Sequence, residues 1–175
     1  MSHVLRLCLG LTIALLLITV SCVSQDTPEP VAPQTARQAN IYFENGKKAF
    51  DGKRYQEAII SFTAAIDIDP TRADAYTMRG LCHNKSGDQT QAIEDYNAAL
   101  KRTQDTTLDS AIIYTNRGIA YLNLGEYEKA QIDATHALEI QPEYGNAHLL
   151  RAMIYMVKGE YEQALKDAEI AVDII

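Results

Sequence analysis

The chain has 175 residues, a formal net charge of −7 and 47% apolar residues. That is enough for one domain with a real core. The acidic balance excludes the usual mode of nucleic-acid binding, which needs clustered Lys and Arg. Cysteine use is sparse, with Cys8, Cys22 and Cys82, and implies no disulfide framework.

Met1 to Arg6 is short and carries one basic residue, and Leu7 to Val20 is then free of charge. A run of that length fits the apolar region of a signal peptide better than a full membrane span. It ends in Thr19-Val20-Ser21-Cys22. This resembles the lipobox of bacterial lipoproteins, with Thr19 where leucine is usual. The resemblance implies that Cys22 becomes the first mature residue and carries the lipid. Several acyl chains hold a protein firmly where one holds it weakly. An uncleaved signal anchor over residues 7–23 is the alternative. Either way Arg6 precedes the apolar run, and Asp26 and Glu29 follow it. Positive charge stays inside, so the rest of the chain is expected to face the periplasm or the cell exterior. Residues 22–36 contain three prolines and few large apolar groups. They read as a disordered tether between a signal segment (1–21) and a folded domain (37–175). Fully extended, it spans on the order of 40 Å.

From residue 39 onward one pattern recurs. Gly46, Gly80, Gly118 and Ala152 correspond, as do Ala58, Ala92, Ala130 and Ala164, and Ala65, Ala99, Ala137 and Ala171. The steps are 34, 38 and 34 residues. An aromatic opens each of the first three units, and Pro70 and Pro142 close two of them, where proline cannot continue a helix. This pattern resembles the tetratricopeptide repeat, a 34-residue helix–turn–helix unit. The resemblance implies an all-α fold, an α-solenoid of about four stacked units: 39–72, 73–106, 111–144 and 145–175.

The first unit is expected to form helices over 39–52 and 55–68, broken at Gly52. In the second, Gly87-Asp88 makes the turn, with Asp88 as N-cap. Four extra residues follow, within Thr103–Ser110, a stretch rich in cap formers. They read as a longer loop with an earlier start for the next helix, or as a functional insertion. Position 24 of the unit is Phe62 and Tyr96 in the first two copies but Ala134 and Ala168 in the last two. Leu165, Val172, Ile174 and Ile175 have no capping helix after them, although solenoids usually need one.

No catalytic constellation is visible, and neither a cofactor nor a metal is expected. His83, His136 and His148 fall at three different positions of the unit. His148 reads as a packing residue, and Cys82 as an inert small apolar group. One constellation is internal. Arg79, Arg117 and Arg151 occupy position 7 of units two to four, and Asp95, Asp133 and Asp167 occupy position 23. Unit one has Asn45 and Ser61 there, so both members change together. An ion pair joining the two helices of a unit is expected, because guanidinium and carboxylate match in shape. Bare duplication without contact is the alternative.

The resemblance implies protein or peptide binding rather than catalysis. With the lipobox, it implies a membrane-tethered adaptor of the kind that serves cell-envelope assembly. A self-associating module, or a piece of a longer array, is the alternative. In stacked repeats the first helices line the concave side, with positions 2, 5, 9, 12 and 13 on one face. In the last two units these are Ile112, Thr115, Ile119, Leu122, Asn123, Asn146, Leu149, Met153, Met156 and Val157. Seven of the ten are apolar, which marks an interaction surface for an amphipathic helix or an extended apolar segment. Packing between neighbouring first helices, or cover by a further helix, would also explain them. The clamp with which some relatives hold a C-terminal carboxylate would need more than Lys47 and Asn116.

Overall fold

The computed structural model describes residues 31–103 and 107–174, with side chains from Gln34 onward. The expected signal segment, Cys22 as the expected lipid-attachment residue, and residues 22–30 of the expected tether lie outside the described residues. Eight α-helices follow in order: α1 (Val31–Asp51), α2 (Tyr55–Ile68), α3 (Ala73–Lys85), α4 (Gln89–Leu100), α5 (Leu108–Asn123), α6 (Tyr127–Ile140), α7 (Gly145–Lys158) and α8 (Tyr161–Ile174). They pack as antiparallel pairs α1/α2, α3/α4, α5/α6 and α7/α8, four units in a stack. First helices form one layer, since α3 touches α5 and α5 touches α7, and second helices form the other.

The starts and stops follow local chemistry. Gly87, Gly125 and Gly159 end the first helices of units two to four in the left-handed conformation, at φ 88°, 77° and 80°. Unit one breaks at Gly52 as expected, its first helix ending at Asp51, but its left-handed residue is Lys53, at φ 57°. Asp88 caps α4 by accepting from the Gln91 amide at 3.2 Å, as its place before the helix predicts. Thr107 caps α5 in the same way, accepting from the Ser110 amide at 3.3 Å. The third unit's first helix therefore starts at Leu108, ahead of residue 111. A second departure is at the other end. α1 begins at Val31, so residues 31–36, expected in an extended tether, are helical. Pro33 is tolerated because the first-turn amides have no helical partner, and Ala32, Gln34, Ala36 and Gln38 are good helix formers.

Small residues set the spacing between helices. Ala58, Ala92, Ala130 and Ala164 are buried, and so are Ala65, Ala99, Ala137 and Ala171. Gly46 and Gly80 let an aromatic ring lie against the facing helix. A Cβ at Gly46 would come within 2.6 Å of the Phe62 ring, and one at Gly80 within 2.9 Å of Tyr96. In unit three the aromatic is Ala134, and the space over Gly118 is filled from the next unit instead. A Cβ at Gly118 would meet Leu150 Cδ2 at 2.6 Å. Leu150 and Ile154 of α7 pack there with Ala130 and Ala134.

The three expected ion pairs all form. Arg79 holds both oxygens of Asp95 at 2.9 and 2.6 Å, Arg117 those of Asp133 at 2.8 and 2.7 Å, and Arg151 those of Asp167 at 2.6 and 2.7 Å. All three carboxylates are buried. Two of the arginines also reach back one unit: Arg79 Nη1 donates to Thr63 Oγ1 at 3.1 Å, and Arg117 Nη1 to Asn97 Oδ1 at 2.5 Å. Each thus ties three helices together. In unit four His148 takes part as well. Its Nδ1 lies 2.9 Å from Asp167 Oδ1 and its Nε2 lies 2.9 Å from the Pro142 carbonyl.

Candidate binding surface

The first-helix layer presents two different surfaces. In units one to three a recess forms where α1, α3 and the start of α5 meet, lined by Phe43, Lys47, Asp74, Thr77, Met78 and Ile112 among others. Two of its three charged side chains are already engaged. Lys47 pairs with Glu44 at 3.3 Å. Asp74 holds Arg72 through two bonds of 3.0 and 2.6 Å, and this pairing raises the arginine's pKa against the opposing effect of burial. Asp74 and Asp109 on the walls would repel a carboxylate tail, and Lys47 alone cannot clamp one. The recess suits a neutral or cationic segment.

The second surface lies on unit four, and here the ten candidate residues separate. Thr115 is buried, with its hydroxyl donating to the Ala111 carbonyl at 2.8 Å. Ile119 and Leu122 are half-buried against the cluster of Ala130, Ala134, Leu150 and Ile154. Ile112 is half-buried and Asn123 and Asn146 are exposed and polar. These α5 apolar residues serve inter-helix packing at least in part. The α7 residues are more exposed. Leu149 is 37% exposed, Met153 52%, Met156 60% and Val157 54%.

Those four share one recess with the α8 residues Tyr161, Ala164, Leu165 and Ala168, which pattern reading of the first helices alone did not include. The sequence signal for this side of the recess is the open end expected at Leu165, Val172 and Ile174. Val172 and Ile174 extend the apolar surface along α8.

Nothing on these surfaces is built for covalent chemistry. Cys82 is fully buried, and burial pushes its thiol up to about 12, so it stays an unreactive thiol. No group of His, Cys, Asp and Glu among the described residues could hold a metal. Also among the described residues, no helix is long and apolar enough to cross a membrane.

Comparison with known proteins agrees with this geometry. The tetratricopeptide repeat matches residues 36–72, 71–143 and 115–174. Human DnaJ homolog subfamily C member 7 is 34% identical over 125 residues, which are 69% of this chain and 24% of that protein. Human tetratricopeptide repeat protein 6 is 33% identical over 95 residues, 54% of this chain and 17% of that one. The chain thus spans about a quarter or less of these relatives. Among solved structures, MamA superposes with a TM-score of 0.69 at 24% identity, covering 78% of this chain and 77% of MamA. The first repeat domain of Spaghetti (RPAP3), solved bound to an HSP90 peptide, gives a TM-score of 0.66 at 26% identity, over 71% of this chain and 95% of that one. By its recurring glycine and alanine register, its four stacked helix pairs and these matches, the chain belongs to the tetratricopeptide-repeat family.

Proposed function

We propose that the protein is a membrane-tethered scaffold that binds a protein or peptide partner on the non-cytoplasmic side of a membrane. Protein binding is the common use of this fold, and the chain's own exposed apolar surface supports it. The observation that carries the proposal is the recess on unit four. Met153, Met156, Val157 and Leu165 are all more than half exposed and adjoin one another. Contiguous exposed apolar surface of this kind marks interaction sites, and methionines let it adapt to ligand shape. The tether is supported by the charge-free run Leu7–Val20, by Arg6 before it and by Cys22 after Thr19-Val20-Ser21. A role in cell-envelope assembly is the setting in which such a lipoprotein would act.

Two variants test the proposal in intact cells. Met153→Glu with Met156→Glu should keep the helical circular dichroism and lose a partner captured by crosslinking. Both side chains are exposed, which makes this pair a cleaner probe than Ile119, whose half-buried side chain belongs to the packing. Unchanged capture would remove unit four as the site. Cys22→Ser should release the repeats from the membrane fraction. A variant that stays bound at full precursor size would replace the lipid with a signal anchor.

A chaperone-tail receptor, as in the HSP90-peptide complex of Spaghetti (RPAP3), is disfavoured. Phe43, Met78 and Ile112 stand where a carboxylate clamp needs cations or amides, and Asp74 and Asp109 adjoin them.

A further inference from the structure

Unit four is joined to unit three by a contact that the earlier joints lack. Position 4 of the unit is Tyr42, Tyr76 and Tyr114 in turn, and in unit four it is His148. The earlier joints are tied by arginine: Arg79 donates to Thr63 and Arg117 to Asn97, each in the unit before. The residue of unit three at that position is Thr135, whose hydroxyl donates to the Gln131 carbonyl of its own helix. Arg151 directs Nε and Nη2 at Asp167 within its own unit. The polar tie at this joint runs through buried His148, whose Nε2 lies 2.9 Å from the Pro142 carbonyl of unit three. An exposed bond from Lys158 to Gln131 sits at the far end of α7.

The partners on the two sides of the ring assign its protons. A peptide carbonyl only accepts, so Nε2 carries a hydrogen. Nδ1 lies 2.9 Å from Asp167 Oδ1, and that contact also needs a hydrogen between the two atoms. Both oxygens of Asp167 already accept from Arg151, at 2.6 and 2.7 Å. Burial works against the charge on Asp167, but the bonds from Arg151 and His148 outweigh it and hold the carboxyl below the usual aspartate range. The hydrogen therefore sits on Nδ1, and the ring is an imidazolium between a carboxylate and a carbonyl. Arg151 on α7 and Asp167 on α8 are the charges that face it. On α5 and α6, Arg117 pairs with Asp133, Lys129 with Glu126 and Glu139 with His136. Asp109, Glu128 and Glu143 are exposed. Among the described residues Asp167 is the one carboxylate within ion-pair distance of His148.

We propose that His148 is a proton-dependent latch that holds the last helix pair against unit three. With one proton fewer, the ring has a single donor for two acceptors. The bond to the charged carboxylate is the stronger one and is kept. The Nε2 lone pair then faces the Pro142 carbonyl, acceptor against acceptor, and the tie to unit three opens. A folded state that binds this proton is favoured at lower pH, so the tie holds there and is lost as pH rises. Arg151 and Asp167 still join α7 to α8, so the two helices loosen as a pair. The latch is independent of whether the recess between them binds a partner.

Two readings on the full chain in detergent micelles test it between about pH 6 and about pH 9, a range that brackets the ordinary titration of histidine. The first is nitrogen NMR of the His148 ring. Both nitrogens should carry hydrogen at the lower pH, and Nε2 should lose its hydrogen toward the higher. The second is amide hydrogen exchange, corrected for the intrinsic effect of pH. Protection of α7 and α8 should fall about tenfold relative to α4 in the same step. His148→Tyr restores the residue of the other units and should abolish that step. A ring with one protonated nitrogen at about pH 6, or one that keeps both hydrogens to about pH 9, overturns the proposal. Loss of the Nδ1 hydrogen in place of the Nε2 hydrogen also overturns it, since the tie to unit three would survive. So does a fall in protection that is equal in wild type and His148→Tyr. If His148→Tyr does not fold, the wild type decides alone: protection of α7 and α8 that stays level while the ring loses its proton overturns the latch.

Discussion

The guanidinium of Arg117 closes on both carboxylate oxygens of Asp133, at 2.8 and 2.7 Å, while its remaining nitrogen reaches Asn97 in the unit before. Asp133 is only 2% exposed. Exposed ion pairs contribute about 0–1 kcal/mol, but removing one member of a buried pair leaves an uncompensated charge and costs about 3–5 kcal/mol. Arg117 keeps some contact with water, so Asp133→Ala is expected at the lower end, about 3 kcal/mol, by chemical denaturation. The double variant Arg117→Met with Asp133→Leu should lose less than Asp133→Ala alone, because no charge is stranded. Equal losses in the two would mean that the stabilisation is simple packing.

Gly118 and Leu150 form the second coupled pair. Glycine to alanine inside a helix normally stabilises by about 1 kcal/mol. Here the new methyl would sit 2.6 Å from Leu150 Cδ2 and 3.3 Å from Asp133 Cβ. Gly118→Ala should therefore destabilise by about 1–3 kcal/mol, the cost of overpacking. In a Leu150→Ala background the same change should be neutral or stabilising. The outcome that sinks this account is a Gly118→Ala cost that is unchanged by Leu150→Ala.

The repeat register, the helix pairs and all three Arg–Asp contacts were legible in the sequence because each is local or recurs at a fixed period. Two aligned copies are enough to show that Arg79 and Asp95 travel together. The contact of Leu150 with Gly118 was less legible, because it crosses units and replaces the aromatic of position 24 with a side chain from elsewhere. By its repeat position His148 reads as a packing residue. It is buried as expected, yet its two ring nitrogens face Asp167 and the Pro142 carbonyl, contacts that no other unit repeats. The exposed surface of unit four was legible on α7 from its repeat positions and on α8 from the open end expected at Leu165, Val172 and Ile174, all of them exposed. What was not legible is that Leu165 joins the α7 residues in one recess, because that contact depends on how α7 and α8 pack.

Lys53 offers a test of backbone strain. It holds the left-handed conformation, φ 57°, where the other three units have glycine. That conformation costs an L-residue about 1–2 kcal/mol, part of which glycine gives back through greater freedom in the unfolded chain. Lys53→Gly should stabilise the protein by about 1 kcal/mol, seen as a higher denaturation midpoint with an unchanged slope. A fall in the midpoint would show that the lysine side chain contributes more than its backbone costs.

The last pair of helices should be the acid-sensitive part of the stack. Burial works against the ionised form of Asp167, but hydrogen bonds from Arg151 and His148 outweigh it and hold the carboxyl below the usual aspartate range. An acid whose folded pKa is depressed contributes stability that is fully present above its unfolded value, about 3.9. That contribution is lost as pH falls through the lower folded value. Among the described residues unit four packs on unit three alone, so this loss should appear as local opening of α8 rather than as global unfolding. Amide hydrogen exchange reads it directly. Relative to α4 and α6, the wild-type α8 should keep its protection at neutral pH and lose it progressively below about pH 4. Asp167→Asn should show weaker α8 protection already at pH 7 and little further change on acidification. If the variant and the wild type lose α8 protection in parallel as pH falls, Asp167 is not the group that titrates, and the bonds to Arg151 and His148 do not set the acid limit of the fold.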